Sequence, residues 1–170
     1  IINPTSSNNS TEDYEERDPE IVNSSNQANF DYSYNFQGYQ VFQLLNDDVS
    51  VEELNDVSLA RLVFQTDIKD SVGTLVNYEM DTEIGTIQPK LKVNGSNEGI
   101  RHSFSLKEDL FAQGNRRLVN HKTYYYMAIS YAYNNFKPYI PTNSDNLNGQ
   151  NKPYLASRKA AVGGIKSYSG

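Results

Sequence analysis

The chain has 170 residues, a formal net charge of -6 and no cysteine. The acidic balance argues against nucleic acid or an anionic membrane as a partner, since both bind basic surfaces. The lack of cysteine excludes disulfides and thiolate metal sites. No apolar run approaches the roughly 20 residues of a membrane span. Thirteen tyrosines without a tryptophan favour an all-β surface protein over a helical enzyme.

Residues 1–30 are predicted to be the end of a strand followed by an acidic, flexible insertion. Residues 5–10 are polar and of low complexity, and the acidic run of residues 12–20 ends at Asp18-Pro19. The spacing of those acids is not that of a calcium loop. Because the chain opens with Ile1 rather than Met, we interpret it as a piece of a larger protein. The ordered domain is expected over residues 31–166, with 167–170 as a tail.

The first strand of that domain is predicted over residues 34–44. Its glycine, Gly38, predicts a bulge or a close approach of two backbones. Alternation places Tyr39 and Val41 on one face and Phe42 and Leu44 on the other. The spacing of Ser50 and Glu53 is that of a capping box, so a short helical turn should follow.

Further strands are predicted over residues 59–65, 74–79 and 85–93. The Asn-Gly pair at 94–95 predicts a turn whose loop runs on to Gly99. Residues 100–106 alternate as a strand does. Ser105 and Glu108 repeat the capping-box spacing, however, which equally predicts a helical turn over residues 106–112. Both interpretations stay open at this level.

The longest predicted strand begins at Thr123 and ends at Asn134. It is aromatic and β-branched, and it contains no Gly, Pro or charge. Neither of its faces is plainly polar, so we expect it to lie centrally, with neighbours on both edges and cover on both faces. A long loop over 138–153 and a last strand over 153–162 complete about seven short strands. This pattern predicts an antiparallel β-sandwich with one or two helical turns.

Three stretches resemble a fibronectin type III domain of the immunoglobulin-like class. Residues 36–42 resemble its third strand, C. Leu118 with Tyr124 six positions later resembles the leucine and tyrosine-corner pair that opens its sixth strand, F, and residues 132–134 resemble the "A-x-N" ending of that strand. Asn120 and Lys122 stand where that family usually has Pro and Thr, and its core tryptophan has no counterpart.

More narrowly, GYQVFQ, ARLVFQTDIKD and HKTYYYMAISYAYNN are similar to fibronectin-like modules of large exported Bacteroidota surface proteins, which commonly leave the cell by type IX secretion. In that resemblance residues 1–4 end strand B, and strand A is missing or is supplied by another chain. The resemblance covers residues 31–166. It implies an extracellular or cell-surface location and a non-catalytic role as a spacer or protein-binding module. The implied partners are neighbouring domains of the same polypeptide or other surface proteins.

No catalytic motif stands out in the sequence. His102 and His121 belong to no serine-acid arrangement in the nearby sequence, and the chain has no G-x-S-x-G. Acidic pairs such as Asp67 and Asp70 would serve a glycosidase only if they faced one cleft. We therefore expect no enzyme activity and no cofactor.

One stretch partly matches a calcium loop. Asp145, Asn146 and Asn148 echo its alternating oxygen ligands, but Ser144 stands at the first position and no Glu follows at the required distance. A plain Asn-rich turn is the simpler interpretation.

The tyrosines allow two interpretations. Tyr125, Tyr131, Tyr133 and Tyr139 would form an exposed aromatic surface that stacks on a sugar or buries into a protein partner. Alternatively, they pack under the loop of residues 138–153. The first interpretation keeps a second function open, a carbohydrate-binding accessory module of a secreted hydrolase.

Overall fold

The computed structural model describes residues 11–21, 31–157 and 161–166. Within these ranges the chain is almost entirely strand and loop, which confirms the predicted all-β class. Its strands are β1 (Glu15–Arg17), β2 (Ser33–Leu44), β3 (Ala60–Asp67), β4 (Thr74–Asp81), β5 (Thr86–Asn94), β6 (Thr123–Asn134), β7 (Tyr154–Ala156) and β8 (Ala161–Lys166). Short 3-10 turns lie at Thr11–Asp13, Val51–Asn55 and Ser144–Asn146. None of the helical turns in these ranges is long and apolar enough to cross a membrane.

Strand β6 lies at the centre of a six-stranded antiparallel sheet. One of its edges pairs with β2, from Tyr34 opposite Asn134 to Leu44 opposite Tyr125. Its other edge pairs with β7 and β8. Strands β1 and β3 pair with β2, and β4 and β5 form a separate hairpin sheet. The sequence prediction of a central strand with neighbours on both edges is therefore confirmed.

Gly38 produces both of the features predicted for it. The register between β2 and β6 shifts between Phe36 and Gly38. A Cβ at Gly38 would collide with the carbonyl oxygen of Thr66 and lie 2.6 Å from the Tyr131 hydroxyl. The absent side chain thus lets β3 and the Tyr131 ring approach the β2 backbone closely.

Both faces of the central sheet are covered. On one face, Met127 and Ile129 pack against Val49 and Leu54 of the segment after β2. The hairpin covers the far end of that face, where Leu75 and Val93 pack on Tyr131. On the opposite face, Tyr124 and Tyr126 pack against Leu106 and Leu118. The predicted cover on both faces is confirmed, and so is the capping box between Ser50 and Glu53.

The segment before β6 differs from both predictions made for it. Residues 100–112 form neither a strand nor a helical turn. They are held instead by polar contacts to the sheet: Gln43 Nε2 donates to Asp109 Oδ1 at 2.7 Å, and Leu110 N–H donates to Gln43 Oε1 at 2.7 Å. Lys122 Nζ lies 2.5 Å from Asp109 Oδ2. These contacts are far apart in sequence, so local periodicity gives no sign of them.

Two further segments depart from expectation. The last strand, predicted over residues 153–162, is divided into β7 and β8. Residues 11–21, which fall in the expected flexible insertion, contain β1, and Asp18 beside it is only 2% exposed. Its carboxylate accepts hydrogen bonds from buried amides, which explains why an acidic stretch lies against the sheet. Residues 1–10, 22–30, 158–160 and 167–170 lie outside the described ranges.

Candidate functional site

A groove of about 390 Å³ lies between the hairpin, the end of β6 and the loop that follows it. Its walls come from three separate segments, namely Val76 and Tyr78 of β4, Tyr133 and Asn134 of β6, and Pro138 and Tyr139 of the loop. We call it the tyrosine groove, after Tyr78, Tyr133 and Tyr139. Its volume falls in the range of small-molecule sites, roughly 300–1,000 Å³.

Asn77 fixes the hairpin wall. It lies on the inward face of β4 and is buried. Its side chain donates to the Tyr154 carbonyl at 3.0 Å and accepts from the Tyr154 N–H at 2.9 Å. Next to it, Tyr78 N–H donates to the Asn151 carbonyl at 2.7 Å. Because alternate residues face opposite ways, anchoring Asn77 inward turns Val76 and Tyr78 toward the groove.

The loop wall is tied back on itself. Phe136 N–H donates to Asn134 Oδ1 at 2.8 Å, and Gln150 N–H donates to the Lys137 carbonyl at 2.8 Å. Gly149 lies so close to the Pro138 backbone that a Cβ would collide with it. The loop of residues 138–153 is therefore a closed structure that holds Tyr139 in place.

The base of the groove is fixed from the opposite end of the chain. Asp18 Oδ2 accepts from Asn134 Nδ2 at 3.1 Å and also from Gln150 Nε2, and both amides belong to residues that line the groove. Asp18 Oδ1 accepts from Glu20 N–H at 2.9 Å. The buried carboxylate is stabilised by these donors and sets the orientation of the two amides.

The three tyrosines present ring surface and hydroxyl groups together. The rings of Tyr78 and Tyr139 meet edge-on, with centroids 4.9 Å apart. Tyr133 is half-buried and donates to Asn135 Oδ1 at 3.0 Å. Burial, together with the nearby Asp70, raises the pKa of Tyr133, so its hydroxyl is neutral at physiological pH. None of the described residues that line this groove carries a charge.

The structure separates the four tyrosines that the sequence grouped. Tyr133 and Tyr139 line the groove, whereas Tyr131 lies beneath it and is 1% exposed. Burial and the nearby Asp67 raise the pKa of Tyr131. Tyr125 packs in another cluster with Leu44 and Met127. Neither sequence interpretation describes the whole set: Tyr133 and Tyr139 line a groove, whereas Tyr131 packs with the hairpin residues Leu75 and Val93.

Tyr78 was not singled out in the sequence. A signal for it does exist: Val76, Tyr78 and Met80 alternate along one face of β4, and this face points away from the central sheet. Sequence alternation shows two faces but does not tell which of them is turned outward. That choice is made by Asn77, whose buried amide contacts Tyr154.

The outer face of the hairpin is apolar and exposed. Across the two strands, Met80 pairs with Ile87 and Val76 pairs with Leu91. Met80, Ile87 and Leu91 are 61%, 41% and 62% exposed, respectively. This outer face continues into the tyrosine groove through Val76 and Tyr78.

Leu118 and Tyr124, the predicted corner pair, lie together against Val41. Val119 N–H donates to the Tyr124 hydroxyl oxygen at 2.7 Å, and that hydroxyl lies 3.5 Å from the Val119 carbonyl oxygen. The hydroxyl therefore ties the loop before β6 to the start of the strand. Its role as a tyrosine corner stays a prediction.

The partial calcium motif is a lysine-bound turn. Lys137 Nζ contacts the Asp145 carbonyl and lies 2.7 Å from Asn148 Oδ1. Asp145 N–H donates to Asn143 Oδ1 at 3.0 Å. The ammonium group thus engages one of the side-chain oxygens that the metal interpretation required, Asn148 Oδ1, together with a backbone oxygen of the same turn. The backbone of Asn146 lies in the same turn.

The remaining candidates for chemistry are dispersed. His102 Nε2 lies 2.8 Å from Glu12 Oε1 and its ring packs edge-on against Tyr39. His121 lies in the exposed turn before β6 with a φ of 65°. Across the described ranges, no three His, Asp or Glu side chains come close enough together to hold a metal ion.

We compared the chain with protein-family models, with curated proteins and with solved structures, and none of the three comparisons found a match. The function of the chain is therefore inferred from the geometry of the groove and the hairpin.

Proposed function

We propose that this chain is a non-catalytic interaction module with a fibronectin type III-like β-sandwich fold, part of an exported bacterial surface protein. It binds another protein domain through the outer face of the hairpin. This domain is a neighbour in the same polypeptide or belongs to a second surface protein. The module also acts as a spacer, because its central sheet is paired on both edges of β6.

Two observations support the fibronectin-like proposal. In immunoglobulin-like sandwiches, strands C, F and G are neighbours in one sheet. Here β2, β6 and the β7–β8 edge lie side by side in that order, with β3 beyond β2. The bond between Tyr124 and the Val119 backbone resembles the corner near the start of strand F. The β4–β5 hairpin would then belong to the second layer.

The proposal that this module binds another protein is supported by the exposed apolar face of the hairpin. A solvated sheet face normally carries polar side chains, yet here Met80, Ile87 and Leu91 form a continuous surface. Two ion pairs involve the alternate residues of β4, on the face of Asn77: Lys92 Nζ lies 2.7 Å from Glu79 Oε1 and Lys90 Nζ lies 3.8 Å from Asp81 Oδ2. These charges leave the opposite face apolar, and a contiguous exposed apolar patch is typical of a protein-binding surface.

A photo-cross-linking amino acid at Leu91 tests this proposal in the full-length protein, in the cells that produce it. We expect one discrete adduct with a defined protein domain. The matched control is the same amino acid at Val57, which is 75% exposed but lies on another segment. An adduct yield at Leu91 no higher than at Val57 would reject the binding face. Protection of the full-length protein from protease added to intact cells would reject the surface location.

A further inference from the structure

We infer that the tyrosine groove binds a neutral carbohydrate chain. This inference rests on the proposed function, since the groove is continuous with the same interaction surface and the carbohydrate is a second ligand of the module. Three properties of the groove indicate this ligand: its ring surfaces, its free polar groups and its charge.

The ring surfaces suit a sugar. A pyranose ring has an apolar C–H face, which packs on the negative face of an aromatic ring. Tyr78, Tyr133 and Tyr139 supply three such rings from three segments within one groove. Binding sites of this kind combine aromatic walls with a few placed polar groups.

The polar groups suit a polyol. Neither the hydroxyls of Tyr78 and Tyr139 nor the Asn135 amide N–H groups bond to any described residue. The neighbouring amides of Asn134 and Gln150 are already engaged by Asp18. The groove therefore offers free neutral donors and acceptors beside the rings. A proline-rich peptide also docks in aromatic-lined grooves, so it is included in the test below as a competing ligand.

The charge suits a neutral ligand rather than an acidic one. Among the residues that the structure describes, no charged side chain lines the groove, and the protein carries a net charge of -6. Burial and the negative charge of Asp70 both raise the pKa of the Tyr133 hydroxyl, so Asp70 adds a negative contribution to the field at the groove. Uronic, sulfated or sialylated chains would be repelled by this field.

The groove is largely formed before a ligand arrives. Asn77 fixes one wall, the bonds of Phe136 and Gln150 fix the other, and Asp18 fixes the base. A preformed site loses less conformational entropy on binding, which favours measurable affinity from a small contact area.

Isothermal titration calorimetry with the purified chain tests the inference. The probes are neutral cello-, xylo- and manno-oligosaccharides, an oligogalacturonate as the acidic counterpart, and a proline-rich peptide. We expect at least one neutral oligosaccharide to bind. Tyr139→Ala should then weaken its binding at least tenfold, and Tyr133→Ala should do the same. Phe104→Ala is the matched control, because that ring is exposed on the opposite side of the sheet, stacked on Phe64.

The inference is overturned if no neutral oligosaccharide binds with a Kd below the millimolar range. It is also overturned if only the acidic chain or the peptide binds, or if Tyr139→Ala binds as the parent does. Tyr139→Phe keeps the ring and loses only the hydroxyl, so it should bind more weakly than the parent but more tightly than Tyr139→Ala, even if Tyr139→Ala loses stability. A carbohydrate failure with an intact Leu91 adduct rejects only this inference, whereas loss of that adduct rejects the proposed protein-binding function.

Discussion

Removing the Asp109 carboxylate should destabilise the chain, because that group holds residues 106–122 against the sheet. Asp109 is 2% exposed and accepts from Lys122 Nζ, from Gln43 Nε2 and, at 3.0 Å, from the Phe111 N–H. Asp109→Ala leaves the buried Gln43 amide without its acceptor, a loss of about 1–3 kcal/mol. Lys122 is half-exposed and returns to water, so the lost ion pair adds at most about 1 kcal/mol. We expect a total of about 1–4 kcal/mol.

Urea unfolding of the purified chain, followed by circular dichroism at pH 7, measures this change. Asp109→Asn is the matched control, since its carbonyl oxygen still accepts from Gln43 and Phe111, and we expect it to cost about 1 kcal/mol. A change below about 0.5 kcal/mol for Asp109→Ala would be that of an ordinary surface substitution. Such a result would refute the anchoring role of Asp109.

The free energies of unfolding of the parent and of Asp109→Asn should converge at low pH. Burial acts to raise the pKa of Asp109, but the bonds from Lys122, Gln43 and Phe111 outweigh it and hold that pKa below its ordinary value of 3.8. A carboxyl group whose pKa is lower in the folded state stabilises the fold fully above its unfolded pKa. This contribution is lost as the pH falls through the folded pKa. The stability advantage over Asp109→Asn should therefore persist at pH 5 and shrink below about pH 4.

Three further substitutions test other contacts, all read out by the same unfolding assay. Tyr124→Phe should destabilise by about 1 kcal/mol, because it removes the bond to the Val119 backbone. Gly38→Ala should cost about 1–3 kcal/mol, because the new Cβ collides with the Thr66 carbonyl. Asn77→Ala should cost about 2 kcal/mol through its two lost bonds to the hairpin's anchor on β7.

Control substitutions distinguish the loss of these specific contacts from nonspecific destabilisation of the fold. Tyr125→Phe removes a hydroxyl that bonds to no described residue, so its unfolding midpoint should stay unchanged. Gly73→Ala meets only the Gly95 carbonyl at 3.2 Å and should cost less than Gly38→Ala. Equal midpoints for Tyr124→Phe and the parent would reject the corner assignment. An Asn77→Ala chain with parental stability would contradict the anchoring of the groove wall.

Sequence reasoning succeeds where the deciding interactions are local. Strand β6 could be predicted because its aromatic and β-branched residues follow one another without interruption. The capping box at Ser50 joins residues three positions apart, so spacing alone reveals it. The bulge at Gly38 follows from the missing side chain of one residue.

Sequence reasoning fails where contacts between residues far apart in the chain determine the local structure. Residues 100–106 alternate like a strand, but Phe104 stacks on Phe64 with ring centroids 4.3 Å apart, and Asp109 bonds to Gln43. These tertiary contacts override the local pattern, and neither partner is close in sequence. The same holds for Asp18, whose acidic surroundings resemble a solvated tail until Gln150 and Asn134 reach its carboxylate.

Only some of the tyrosines that line the tyrosine groove could be predicted from the sequence. Tyr133 and Tyr139 stand out by composition and position, whereas Tyr78 joins them only because the hairpin folds back beside the end of β6. Tyr131 differs from its neighbour Tyr133 because the hairpin residues Leu75 and Val93 cover it. Burial of one tyrosine and exposure of another depend on packing that alternation does not encode.

The groove and the hairpin face both depend on one claim, that β6 is the centre of the sheet and is paired on both edges. Hydrogen–deuterium exchange of backbone amides, resolved by residue with NMR, measures this most directly. We expect the amides from Tyr124 to Tyr131 to exchange slowest, at rates set by global unfolding, and those of the hairpin tip near Ile84 to exchange much faster. Exchange in β6 as fast as at that tip would contradict the claim.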